Sequence, residues 1–185
     1  PSAHLRGSKA DLWDGGHRIP FIVRWPGRVK PGSQNDELIC LTDLLSTTAE
    51  ILGVGVPAGS AEDSVSILPA LRGKRIVSTR NGVIHHSHTG HFAYRYGKWK
   101  LLLARSSGGW SSPTEKEAKS EPLEAQLYDM ENDVGETNNL YAKNPETAER
   151  LLVLLAADVN AGRSTKGPKS MNDIADIVLW KNGRE

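Results

Sequence analysis

The sequence predicts an α/β chain in two unlike parts: the end of an α/β layer, then a small four-stranded antiparallel sheet packed with a helix, which taken alone is an α+β arrangement. Three observations predict it. An apolar run at 19–25 gives way to a helical period over 43–52. Four short runs of strand-favouring residues then recur between turn signals, and an amphipathic helical period opens at Asn144-Pro145-Glu146.

The first part starts with Ile19-Pro20-Phe21-Ile22-Val23-Arg24-Trp25, which lies between Gly15-Gly16 and Pro26-Gly27 and reads as a mostly buried strand. Asp43 is suited to cap a helix that ends at Leu52, with apolar residues at 44, 45, 49 and 52 and Gly53 at the left-handed position beyond it. Residues 53–81 are rich in glycine, proline and serine, which sets the seam near Gly73 to Arg80 and divides the chain into 1–75 and 76–185.

In the second part, strands are expected at 82–88, 91–96 and 98–104, turning at Gly90 and Gly97-Lys98. Residues 106–124 have almost nothing to bury and read as an exposed insertion before a fourth strand at 126–130. Asn144 then caps a helix with Pro145 in its first position and apolar residues at 148, 151, 152, 155 and 159, and Gly162 ends it. A last short helix is expected over 172–180, marginal without a surface to pack on.

Composition narrows the function classes. A chain of 185 residues holds one ordinary domain or slightly more. Its 23 basic and 22 acidic residues are mixed along the sequence, so the net charge of +1 leaves no basic footprint for nucleic acid. No window approaches the roughly 18 apolar residues of a membrane span, and Pro1-Ser2-Ala3-His4 has none of the regions of a signal peptide. Cys40 is the one cysteine, which excludes a disulfide within the chain and a multi-cysteine zinc site; Leu38-Ile39-Cys40-Leu41 reads as buried packing.

The chemistry-bearing residues fall in two places. In Leu5-Arg6-Gly7-Ser8-Lys9 a glycine-bearing loop can bring the Lys9 ammonium toward an anion. Asp14-Gly15-Gly16 permits close approach of backbone, and His17 and Arg18 follow at the entrance to the predicted strand. In His85-His86-Ser87-His88-Thr89-Gly90-His91, His86 and His88 would share one strand face like a chelating pair, with His85 on the other. No acidic or cysteine ligand adjoins them, and cross-strand pairing explains such histidines without metal. Trp99 and Lys100 should give one side chain to the core and one to solvent.

Taken in order, Leu5-Arg6-Gly7-Ser8-Lys9, Trp13-Asp14-Gly15-Gly16-His17-Arg18-Ile19-Pro20 and Trp25-Pro26-Gly27 resemble a landmark late in the type I, formylglycine-dependent sulfatases. Gly97-Lys98-Trp99-Lys100-Leu101, Gln126-Leu127-Tyr128-Asp129-Met130, Asn132-Asp133, Glu136 and Asn138-Asn139-Leu140 resemble that family's carboxy-terminal region. Asp14 departs mildly, since the family more often has Glu there. The resemblance covers nearly the whole chain but only about the last third of a full sulfatase. It implies a fold similar to alkaline phosphatase, with 1–75 the last part of the catalytic α/β domain and 76–185 a small terminal subdomain.

The implied activity is hydrolysis of sulfate esters on a carbohydrate or aryl leaving group. Lys9 would contact a sulfate oxygen and neutralise charge on the transferred group. His17 and Arg18 could reach the leaving group, His17 equally serving as a structural hydrogen-bonding residue and Arg18 serving first to hold the loop by charge-assisted hydrogen bonds, and His86 or His88 would border the same pocket. The family's nucleophile forms within Cys or Ser, any residue, Pro or Ala, any residue, Arg. Cys40-Leu41-Thr42-Asp43-Leu44 departs at both diagnostic positions, and no serine fits. The family's calcium site uses an Asp-Asp pair and an Asp-Asn or Asp-His pair, none of which occurs here. No metal and no cofactor are therefore expected in this chain, calcium and formylglycine belonging to the full-length family, and no turnover is expected of it alone.

The family's bacterial members imply a periplasmic or secreted location. Strand edges and apolar faces meant for absent elements predict a homo-oligomer. Two other classes stand beside the sulfatase reading. One is a non-catalytic module holding a sulfated glycan through Trp13, Trp99, Trp110 and the basic loop. The other is a small hydrolase with its own site, which would set His86 or His88 against a serine although no nucleophile elbow is present.

Overall fold

The computed structural model describes residues 4–57, 59–77 and 80–181, and the chain divides into two compact units. The first gathers the described residues of Pro1–Ile19, Ile84–Ala157 and Ile174–Glu185; the second gathers those of Pro20–Val83 and Asp158–Asp173. The expected seam near Gly73 to Arg80 includes residues 78 and 79, which lie outside the described residues.

Glycine turns and short β-prone runs give the first unit its sheet. Strands β1 (Val83–His86), β2 (Phe92–Tyr96), β3 (Trp99–Leu102) and β4 (Gln126–Asp129) lie side by side in chain order. β2 and β3 are antiparallel from Tyr96↔Trp99 outward, turning at Gly97 with φ 53°, and β3 pairs with β4 through Lys100↔Tyr128 and Leu102↔Gln126. Because successive side chains alternate, Ala93, Lys100, Leu102 and Tyr128 share one face, and Phe92, Tyr94, Leu101 and Leu127 the other.

Both faces are covered, so no strand shows the half-polar alternation of a solvated sheet. Leu12 and Trp13 close the first face in a cluster with Ala93, Leu102, Ala104, Tyr128 and Met130. The second faces helix α4 (Pro145–Ala161), which buries Ala148, Leu151 and Leu155 and sets the Arg150 guanidinium 5.3 Å from the Tyr96 ring centre. α4 starts and stops as its sequence dictates: the Ala148 N–H donates to the Asn144 carbonyl, and Gly162 takes φ 64°. The described residues up to Ile19 therefore pack with the sheet. The indole of Trp13 explains why, since its N–H finds a buried acceptor there, Gln126 Oε1 at 3.0 Å.

In the second unit, helix α2 (Asp43–Leu52), followed by the short helix α3 (Leu68–Leu71), ends at Gly53 with φ 67°, as expected, but its N-cap is Thr42. Asp43 sits one position inside because its carboxylate is engaged elsewhere. It accepts from Arg80 at 2.7 and 3.0 Å and from the N–H groups of Cys40 and Val65 at 2.8 and 3.0 Å. Cys40 is half-buried and not core packing: its sulfur lies 2.8 Å from Thr42 Oγ1 and accepts from Arg80 at 3.2 Å.

Four expectations need correction. Residues 19–25 form no strand, and Phe21 and Ile22 are 40% and 89% exposed; a strand needs a ladder partner, and the sheet among the described residues contains only β1 to β4. On α2 the leucines at 44, 45 and 52 face solvent while Asp43, Thr47 and Ala49 are buried. No helix forms over 172–180. The insertion at 106–124 is exposed only in part, with Ala118 buried in its middle. Ser106 and Ser107 are buried, and the Glu115 carboxylate accepts from the N–H groups of Arg105, Ser106 and Gly108 at 3.0, 2.8 and 3.2 Å.

Candidate functional site

The loop from Arg6 to His17 is built around one buried carboxylate. Asp11 Oδ2 accepts the Ser8 N–H at 2.8 Å, while Oδ1 accepts the N–H groups of Trp110 and Ser111 at 2.8 and 3.1 Å. Burial would raise its pKa, but these donors, Ser111 foremost, hold the carboxyl below its ordinary value. The loop's own backbone adds two bonds to the sheet unit: Leu12 N–H to the Ser107 carbonyl at 2.8 Å, and the His88 N–H to the Ala10 carbonyl at 3.1 Å.

At its far end the loop makes the short turn α1 (Asp14–His17). A Cβ at Gly15 would collide with the carbonyls of Arg6 and Gly7, and one at Gly16 with those of Asp11 and Ser8, so the glycine pair is a packing requirement. Lys100 reaches up from β3 and donates to Asp14 Oδ1 and Glu136 Oε1, each at 2.7 Å, with its side chain 1% exposed. Glu136 Oε2 takes the Asp14 N–H at 2.6 Å, and its carbonyl takes Arg6 Nη1 at 2.6 Å. Arg6 lies 3.7 Å over the Trp13 ring. Burial pushes the Glu136 carboxyl up, against the pull of Lys100.

Lys9 stands exposed on this framework, with no hydrogen bond or ion pair among the described residues. His17 is turned inward. Its ring lies 4.0 Å from that of His85, and its Nε2 is buried without a hydrogen-bond partner. Burial, followed by the Lys100 charge, brings its pKa down to about 4. His85 is lowered by the same two causes, and its Nε2 lies 3.3 Å from the Leu12 carbonyl. Arg18 is exposed and stands 3.8 Å from Asp14 Oδ2, too far for the charge-assisted hydrogen bond expected of it.

The histidine run is arranged otherwise than its spacing implied. His86 points to the far face, edge-on to Phe92 at 4.3 Å, so it is His85 that faces the loop. β1 ends at His86, so strand alternation does not reach His88. There His88 Nε2 accepts the Trp110 indole N–H at 2.8 Å, which requires the neutral ring with its proton on Nδ1. The chelating pair is therefore not formed, and among the described residues no three His, Cys, Asp or Glu side chains come together as a metal site. Among the described residues neither ring is hydrogen-bonded to a serine, as the hydrolase reading required. Of the three tryptophans offered as a glycan surface, Trp13 is buried and Trp99 half-buried; only Trp110, at 60%, is open.

Sequence reasoning did not find Asp11, Lys100, Glu136 and His85 as the frame of the loop. Strand parity held a signal for Lys100, since it alternates with Leu102 on a face that Trp13 covers.

The family model described as "N-sulphoglucosamine sulphohydrolase, C-terminal" matches residues 8–105. An N-acetylgalactosamine-6-O-sulfatase of Bacteroides thetaiotaomicron is 33% identical over 155 residues, 84% of this chain and 30% of that protein. Arylsulfatase A of Bos taurus is 33% identical over 195 residues, 96% of this chain and 38% of that protein. A solved structure from work on glycosaminoglycan metabolism by Bacteroides thetaiotaomicron superposes with a TM-score of 0.70 at 32% identity, covering 84% of this chain and 32% of that one. The chain thus spans about a third of the length of the relatives it matches.

Proposed function

The chain belongs to the sulfatase family, matching its C-terminal region, and on that premise we propose that it is the carboxy-terminal part of a sulfuric ester hydrolase acting on sulfated carbohydrate or aryl sulfate esters. The observation that carries the reading is Lys9: an unpaired, exposed ammonium on a loop held by hydrogen bonds to the Asp11 carboxylate and by Lys100 on Asp14. A point charge so placed offsets negative charge on a sulfate oxygen without reorganising when the ester bond breaks. In this reading 1–75 belongs to the catalytic α/β domain and 76–185 to the small subdomain.

The nucleophile and the calcium ligands are assigned to residues outside this chain, because neither the formylglycine pattern nor the aspartate dipeptides occur in it. The chain alone is accordingly expected to hydrolyse no sulfate ester, and a metal-dependent rate from the pure chain would overturn that part. Export to the periplasm or medium, as for bacterial relatives, is part of the same proposal. His17 is assigned to the frame of the pocket and not to direct contact, since its ring is turned inward against His85.

Equilibrium binding tests the role of Lys9. The chain should bind N-acetylgalactosamine 6-sulfate more tightly than the unsulfated sugar, and Lys9→Ala should erase that preference. Equal binding of both sugars by the unaltered chain contradicts it.

A further inference from the structure

Trp110 is a large apolar side chain held in the open. The residue is 60% exposed, yet it is fixed at both ends: the backbone N–H donates to buried Asp11 Oδ1 at 2.8 Å, and the indole N–H donates to His88 Nε2 at 2.8 Å. His88 is tied in turn to the Lys9 loop, its N–H donating to the Ala10 carbonyl at 3.1 Å. Next to Lys9 and Trp110 in sequence, the hydroxyls of Ser8 and Ser111 meet at 3.1 Å. A Cβ at Gly109 would collide with the Ala10 carbonyl, so the two loops lie in backbone contact. One carboxylate, Asp11, therefore fixes the backbone that carries Lys9 and the backbone that carries Trp110 together.

We infer that Trp110 is the stacking wall for the sugar ring of a carbohydrate sulfate whose sulfate group lies against Lys9, with Ser8 and Ser111 offering hydroxyls to the ring's own. The inference rests on the reading of Lys9 as the sulfate contact. An indole gives a rigid, amphipathic surface at little entropic cost, and pre-fixing its orientation removes most of what remains. Its N–H is already satisfied by His88, so what it presents outward is the apolar ring. A pyranose, with one C–H face and hydroxyls at its edge, matches an aromatic wall flanked by serines. A bare aryl group has no hydroxyls to meet those of the two serines.

The test is an NMR titration of the chain, following the Trp110 indole N–H signal, with four probes: N-acetylgalactosamine 6-sulfate, the unsulfated sugar, inorganic sulfate and phenyl sulfate. The sulfated sugar should shift the signal saturably and bind best. Trp110→Ala should weaken the sulfated sugar about tenfold, as loss of a central aromatic contact does, and leave inorganic sulfate unchanged. Trp110→Phe, which keeps a ring and loses the N–H, should retain most of the affinity. Sugar affinity unmoved by Trp110→Ala overturns the stacking wall while leaving Lys9 in place. Phenyl sulfate binding as tightly as the sulfated sugar overturns the ligand class, as does an indole signal that no probe moves. Loss of the sulfated-sugar preference in neither Lys9→Ala nor Trp110→Ala marks failure of the Lys9 reading itself.

Discussion

Single residues show how burial, and not identity, sets the chemistry around the loop. The family resemblance leaves His17 either a leaving-group contact or a structural hydrogen-bonding residue; the fold turns it inward, where burial and Lys100 keep it neutral with a pKa of about 4. The unfolded chain binds the His17 proton near pH 6.5, so between about 6.5 and about 4 the unfolded state holds more protons than the folded one. Stability at pH 7 is therefore complete with respect to this group and falls as the pH drops through that window, by of order 2 kcal/mol. Urea unfolding of the chain and of His17→Phe at pH 7 and pH 4.5 measures this. The substituted chain should lose less on acidification, and equal losses would show that His17 does not carry the effect.

Between elements, the decisive link is Lys100, which ties β3 to the α1 turn and to Glu136 with a side chain 1% exposed. Replacing it with methionine strands a buried carboxylate, and loss of one partner of such a pair costs about 3–5 kcal/mol. Lys100→Met should therefore lower the urea midpoint sharply, whereas Lys100→Met combined with Glu136→Gln should recover part of the loss. A single substitution without effect would mean the network is dispensable. Local signals located most elements: Gly97 sets the β2–β3 turn, Asn144-Pro145 starts α4, and Gly53 and Gly162 stop helices. The failures share a physical cause. The segment at 19–25 has strand composition without a ladder partner, and α2 owes its register to Arg80 holding Asp43, a contact 37 residues away in sequence. The Lys9 loop was legible as a motif, but its supports at Asp11, His85 and Lys100 come from tertiary placement that no spacing encodes.

At the scale of the whole molecule, the described residues include an apolar helix face that lacks a cover. On α2 Leu44, Leu45 and Leu52 are 43%, 52% and 68% exposed. Contiguous exposed apolar surface of this kind is uncommon on a protein that works alone. The isolated chain should associate through it, giving a mass above 20.2 kDa by light scattering, and Leu45→Glu with Leu52→Glu should return it to a monomer. A monodisperse monomer of the unaltered chain at high concentration contradicts this. Among the described residues no helix is long and apolar enough to cross a membrane.

The central claim is that Lys9 meets the sulfate. The side-chain NMR signals of Lys9, assigned by comparison with Lys9→Ala and followed while N-acetylgalactosamine 6-sulfate is added, test it most directly. A saturable shift at Lys9 with the sulfated sugar, and none with its unsulfated counterpart, is the predicted result; a Lys9 that stays silent while the sulfated sugar shifts residues elsewhere would contradict the account.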